Sequence, residues 1–257
     1  MPNNLLILGG TAEAAALARA ALARFDENIA VTTSLAGRTE RPGPIPGQVR
    51  IGGFGGATAL AAYLAERDID CVVDATHPFA VRISAEARQA CEIAGVPRLT
   101  LLRSPWRRHR LDRWIEVDDM AAAARVVARI GHRAWLTIGT GEIESFSGVS
   151  GVRFLVRLVD PPRRPLPLRF CQVVVGRGPF ALANERHLIA RHAIDVLVCK
   201  ASGGTATEAK LVAAREFSLP VVMVRRPLPE PGDVVDTVEK ALDWVAETGP
   251  LLAAGRV

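Results

Sequence analysis

The sequence predicts an α/β protein with parallel sheets, arranged as two domains with a cleft between them. Three observations predict it. Short apolar runs such as Leu5-Leu6-Ile7-Leu8 and Cys71-Val72-Val73 read as strands buried on both faces, the pattern of parallel sheets. Helical runs alternate with them, and strand–helix–strand order implies right-handed parallel crossovers. The alternation then repeats in the second half, after a sharp change in composition at Arg103. Residues 1–102 are expected as the N-terminal domain and 103–257 as a C-terminal α/β domain contributing to the cleft.

In order, residues 5–8 form the first strand, Gly9-Gly10-Thr11 a turn, and the alanine-rich run 14–23 a helix almost without breakers. Residues 29–33 are a β-branched strand. A proline- and glycine-rich loop leads to a short strand at 49–51 and a second glycine turn, Gly52-Gly53-Phe54-Gly55-Gly56. A helix at 57–67, a strand at 71–74, a loop at 75–80 and a helix at 81–94 ended by Gly95 follow. Residues 98–102 close this half as a strand. The segment 103–114, rich in arginine and tryptophan, reads as an interdomain linker or as a binding surface. Beyond it come a helix at 121–130, a strand at 134–138, strands at 153–159 and 172–175, and a helix at 180–192. A strand at 195–199, a helix at 206–216, a strand at 220–224 and a final helix near 234–247 complete the pattern. Residues 249–257 read as a loose tail.

Bulk properties exclude several classes. No apolar run has membrane-spanning length, and no basic-then-apolar segment resembling a secretion signal opens the chain. A cytoplasmic protein without membrane partners is expected. The cysteines Cys71, Cys91, Cys171 and Cys199 sit in apolar patterns and none forms C-x-x-C, so neither a metal site nor a redox pair is indicated. The net charge of +5 suits an anionic ligand, and no recognition motif supports nucleic acid. A monomer and a homodimer are both compatible with the sequence.

In open α/β sheets, ligands bind beyond the carboxyl ends of the strands, and the distinctive residues all fall at such ends. Gly9, Gly10 and Thr11 precede a helix N-terminus, a geometry that suits a phosphate but equally a tight βα turn. The end of the second strand carries Ser34 and then Arg38, with no acid before Glu40. A hydroxyl and a guanidinium there favour a 2′-phosphate over a ribose diol. Asp74 reads as a helix cap or as a buried partner for Thr76. Thr76 and Phe79 are candidates for lining a nicotinamide face, and His77 for acid, donor or carboxylate partner. Gly139-Thr140-Gly141 is a further strand-end turn. Lys200, Ser202, Gly203, Gly204 and Thr205 make an anion-binding loop without the Walker A order. Arg103 and Trp106 begin a segment suited to an aromatic polyacid.

These segments together resemble the precorrin-6A reductase family of cobalamin biosynthesis. Ile7-Leu8-Gly9-Gly10-Thr11-Ala12-Glu13, Ser34-Leu35-Ala36-Gly37-Arg38, Asp74-Ala75-Thr76-His77-Pro78-Phe79-Ala80 and Lys200-Ala201-Ser202-Gly203-Gly204 carry the likeness, which runs from about Leu5 to Pro227. The resemblance implies two Rossmann-like domains, the first binding NADPH, with the tetrapyrrole macrocycle in the cleft. It implies reduction of one ring double bond of precorrin-6A, with the cobalt-containing analogue as the near alternative. A non-catalytic NADP-sensing protein is the reading from another class. Cofactor contacts are then expected from Gly9, Gly10, Thr11 and Glu13, from Ser34 and Arg38, and from Gly53, Phe54 and Thr76. His77 and Thr76 are the catalytic candidates. His77, Arg103, Trp106 and Thr140 are expected at the substrate, with Lys200, Ser202, Gly203 and Thr205 on its carboxylates.

Overall fold

A computed structural model of the chain describes residues 3–37 and 43–248. Within these, residues 3–37, 43–104 and 227–248 form one compact unit and Pro105–Arg226 a second.

The first unit runs β1 (Asn3–Leu8), α1 (Ala12–Phe25), β2 (Ile29–Leu35), β3 (Gln48–Ile51), α2 (Ala57–Glu66), β4 (Cys71–Asp74), α3 (Val81–Ala94) and β5 (Arg98–Leu101). The continuous apolar run in β1 follows from burial on both faces. Leu5 and Ile7 point into a core with α1, while Leu6 and Leu8 point into the opposite core with α2 and α3. All strand pairs in this sheet are parallel.

The second unit runs β6 (Arg113–Val117), α4 (Met120–Ile130), β7 (Arg133–Thr137), β8 (Arg153–Leu158), β9 (Cys171–Val175), α5 (Leu182–His192), β10 (Val196–Lys200), α6 (Ala209–Glu216) and β11 (Pro220–Val224). Its sheet is also wholly parallel. Trp135, Leu155, Leu197 and Met223 pack with α5 and α6 on one face, and α4 covers the other. The chain ends with β12 (Asp233–Val235) and α7 (Val238–Thr248).

Each sheet has six strands, ordered β12-β5-β4-β1-β2-β3 and β6-β11-β10-β7-β8-β9. Both are doubly wound, with the direction of progression reversing between β1 and β4 and between β7 and β10. Those two reversals are the topological switch points, where ligands bind in such sheets.

The structure departs from the sequence reading in three places. Residues 227–248 return to the first unit instead of completing the second. Asp233–Val235 pairs with β5 as an edge strand, and α7 buries Ala241, Leu242 and Val245 in the α1 core. The last helix starts after Thr237, whose hydroxyl accepts the Lys240 N–H at 3.2 Å, so residues 234 and 235 lie outside it. Arg113 and Trp114, read as part of a linker or a binding surface, begin β6, where they pair with Pro220 and Val221.

Candidate functional site

At the first switch point, β1 ends in Gly9-Gly10-Thr11. The Gly9 N–H donates to the Ser34 carbonyl at 2.9 Å, and a Cβ on Gly9 would lie 2.8 Å from the Thr33 methyl. Only glycine lets β1 and β2 run this close. Gly10 has φ +105°, with open space where a side chain would stand. Thr11 caps α1, accepting the Ala14 N–H at 3.1 Å, while its hydroxyl donates to the Ala75 carbonyl at 2.6 Å. The Thr11 side chain thereby ties the two loops of the switch point together. What this turn offers an anion is the backbone N–H groups of the α1 N-terminus.

Glu13 stands in the first turn of α1, where its charge favours the helix dipole but opposes an anion. Arg103 offsets it, with Nη1 3.0 Å from Glu13 Oε2 in a partly buried pair. Arg103 therefore belongs to the first unit. Trp106, expected beside it, belongs to the second unit, where its indole N–H donates to the Gly204 carbonyl at 2.7 Å.

Ser34 is buried at the end of β2. Arg50, directly across on β3, donates from Nη1 to Ser34 Oγ at 3.4 Å. Its fork also holds the carbonyls of Gly52 at 2.6 Å and Gly53 at 2.9 Å, and its guanidinium lies 3.8 Å from the Phe54 ring centroid. Phe54 also packs edge-on against Tyr63 at 5.2 Å. Phe54 thus serves Arg50 and α2, and any nucleotide contact it makes is limited to the remaining ring surface. Arg38 lies outside the described residues. Gly53 is exposed.

At the end of β4, Asp74 is 2% exposed. Its Oδ1 accepts the Thr76 N–H at 3.1 Å and the Thr76 hydroxyl at 2.7 Å, so it is the buried partner of Thr76. Its Oδ2 is buried without a hydrogen-bond partner. The residue Asp74 lines a cavity of about 30 Å³ with Thr76, His77, Ser84, Thr100 and Glu230, while its Oδ2 has almost no accessible surface. His77 Nδ1 accepts the Phe79 N–H at 3.2 Å, which assigns the neutral imidazole proton to Nε2.

The second switch point repeats the arrangement with charges. Lys200, at the end of β10, donates to Glu142 Oε1 at 2.6 Å. Glu142 Oε2 accepts the Gly139 N–H at 2.8 Å, at the start of a short 3-10 turn, Thr140–Phe146. Gly203 and Gly204 follow with φ +68° and +75°, a conformation most side chains avoid. Arg226 braces the loop, donating to the carbonyls of Ala201 at 3.0 Å and Ser202 at 2.6 Å. Ser202 is buried, whereas Thr140 and Thr205 are exposed. Lys210 is 5% exposed, with its ammonium 5.5 Å from the Trp106 ring.

Sequence reasoning missed Arg50, Glu142 and Arg226. Glu142 carries a faint signal, an acid three residues after a glycine that starts a turn. Arg50 and Arg226 carry none, because their partners are backbone carbonyls.

The residues at the first switch point fit a 2′-phosphorylated dinucleotide. An open glycine turn faces a helix N-terminus, and no acid stands between Ile29 and Gly37 to receive a ribose diol. Among the described residues no cluster suited to a metal ion occurs, and no helix is long and apolar enough to cross a membrane.

The family described as precorrin-6x reductase CbiJ/CobK matches residues 4–246. The chain is 45% identical over 244 residues to precorrin-6A reductase of Rhodococcus erythropolis, covering 95% of this chain and 97% of that one. It is 41% identical over 247 residues to the Rhodobacter capsulatus protein of the same name, covering 96% and 97%. A solved structure titled CobK precorrin-6A reductase superposes with a TM-score of 0.91 at 40% identity, covering 96% of this chain and 97% of that chain. Cobalt-precorrin-6A reductase of Priestia megaterium is 28% identical, covering 93% and 96%.

Proposed function

The chain belongs to the precorrin-6x reductase CbiJ/CobK family, and on that premise we propose that it reduces one ring double bond of metal-free precorrin-6A with NADPH, giving precorrin-6B in cobalamin biosynthesis. The metal-free substrate is favoured because relatives named precorrin-6A reductase are 41% and 45% identical, against 28% for a cobalt-named one. The observation that carries the cofactor reading is the first switch point. Its glycine turn opens onto a helix N-terminus, and its second strand ends in a hydroxyl without a carboxylate.

When bound, NADPH supplies the hydride. The chain's residues bind, orient and protonate. The α1 N-terminal amides following Gly9 and Gly10 hold the pyrophosphate, with Glu13 kept neutralised by Arg103. Ser34 and Arg38 take the 2′-phosphate. Asp74, by holding the Thr76 N–H and hydroxyl, would fix Thr76 as a polar wall for the nicotinamide end. His77 acts as the imidazolium: it takes a proton from solvent, which turns Nδ1 from acceptor to donor and releases the Phe79 N–H. It then gives the Nε2 proton to the carbon next to the one that receives hydride, returning to the neutral imidazole, so the double bond gains H₂ overall. Lys200, Ser202, Gly203 and Thr205 hold carboxylate arms of the substrate, and the net positive charge of the chain favours such a polyacid.

Calorimetric titration with NADPH and NADH tests the cofactor reading. A strong preference for NADPH, reduced by Arg38→Ala, is expected. Equal affinities, or no binding of either nucleotide, would overturn it. Binding without turnover of any tetrapyrrole would favour a sensor.

A further inference from the structure

We infer that Arg50 is a specificity-determining residue, reading the 2′-phosphomonoester of a bound nucleotide together with the Ser34 hydroxyl. The inference rests on the cofactor reading above and adds a second cation to it, one on a strand.

The sheet register sets Ser34 of β2 beside Arg50 of β3, and Arg50 Nη1 stands 3.4 Å from Ser34 Oγ. In that contact the serine oxygen accepts, so its own proton remains for an anion. The guanidinium does not roam. Its two Nη atoms are clamped by the carbonyls of Gly52 and Gly53, and its plane is held 3.8 Å from the Phe54 centroid and 5.4 Å from that of Tyr63. Every one of these partners is uncharged. Among the described residues no carboxylate pairs with Arg50, and the contacts that hold its guanidinium at the end of the second strand are all neutral. Its Nε–H is left over for an incoming oxygen. A fixed guanidinium suits a phosphate better than a mobile one, because the entropy of holding the fork is already spent.

A bracing role for the Gly52-Gly53 turn predicts something different. Loss of the brace would weaken nucleotides alike, with or without a 2′-phosphate. Loss of a phosphate reader would weaken only those that carry one.

The test is calorimetry on the full chain with adenosine 2′,5′-bisphosphate, adenosine 5′-monophosphate, NADPH and NADH. Wild type is compared with Arg50→Met and Arg50→Lys. We expect Arg50→Met to lose about 10- to 100-fold in affinity for the two 2′-phosphorylated ligands, as one charge-assisted contact implies. Affinity for the other two should hold within about twofold, well below one such contact, with Arg50→Lys falling between. Unchanged preference for 2′-phosphate in both variants would overturn the role of Arg50 while leaving the cofactor reading intact. Failure of wild type to prefer 2′-phosphorylated ligands would overturn both. Should the variants not fold, a crystal structure of wild type with adenosine 2′,5′-bisphosphate decides. A 2′-phosphate within hydrogen-bond distance of the Arg50 guanidinium supports the role, and one beyond it ends it.

Discussion

Glu142 holds Lys200 at 2.6 Å with one oxygen and the Gly139 N–H at 2.8 Å with the other. The two loops of the second switch point are thereby joined by one carboxylate. At the first switch point a neutral link does the same work, the Thr11 hydroxyl on the Ala75 carbonyl at 2.6 Å. The same sheet architecture is thus tied at its switch point by an ion pair in one unit and by a neutral hydrogen bond in the other.

Lys200→Met should raise KM for the tetrapyrrole about tenfold, the worth of one charge-assisted contact. NADPH affinity should not change, because Lys200 is not among the residues assigned to the dinucleotide. Steady-state kinetics and calorimetry check both halves. A lower Tm with unchanged KM would make the Lys200–Glu142 pair structural only.

His77→Ala should lower turnover by roughly 10²–10⁴-fold, the usual span for losing a general acid, with NADPH affinity retained. Single-turnover kinetics measures it. Unchanged turnover would remove His77 from the proton step.

Breaking the buried pair Arg157–Glu185 should strongly destabilise the second unit. Both side chains are under 10% exposed, joined at 2.6 and 3.0 Å, and the guanidinium lies between Trp135 and Phe180. Glu185→Ala leaves a buried cation alone and should cost about 3–5 kcal/mol in urea unfolding. Glu216→Ala breaks an equally well-formed but exposed pair with Arg186 and should shift the urea midpoint far less.

Much of this was readable from the chain. Both switch points were visible as glycine-bearing strand ends, because a strand buried on both faces must be apolar throughout and its turn must then be polar or glycine. Helix α3 and strand β11 matched their expected limits, each bounded by a clear signal, Gly95 in one case and Pro220 in the other. The edge strands β6 and β12 escaped, since an edge needs no continuous apolar run and Arg113 and Asp233 look like loop. The clamping of Arg50 by two carbonyls is a backbone event, and no side-chain pattern foretells it.

Burial pushes the thiol of Cys71 up to about 12 and those of Cys91 and Cys199 to about 11, from an ordinary 9.0. Below pH 9 both folded and unfolded chains keep these protons, so stability is unaffected. Above it the unfolded thiols ionise first, and stability should fall as pH rises from 9 towards 11–12. Urea midpoints across that range should drop, and Cys71→Ala should flatten the drop. Exposed Cys171 should be alkylated by iodoacetamide well before the buried three.

The most direct measurement is anaerobic turnover of metal-free precorrin-6A by the purified protein with NADPH, followed by mass spectrometry of the tetrapyrrole. One equivalent of NADPH oxidised for each product that has gained H₂ is the predicted result, with NADH a far poorer donor. Cofactor oxidation without such a product, or no reaction beside a positive control from Rhodobacter capsulatus, would contradict the assignment.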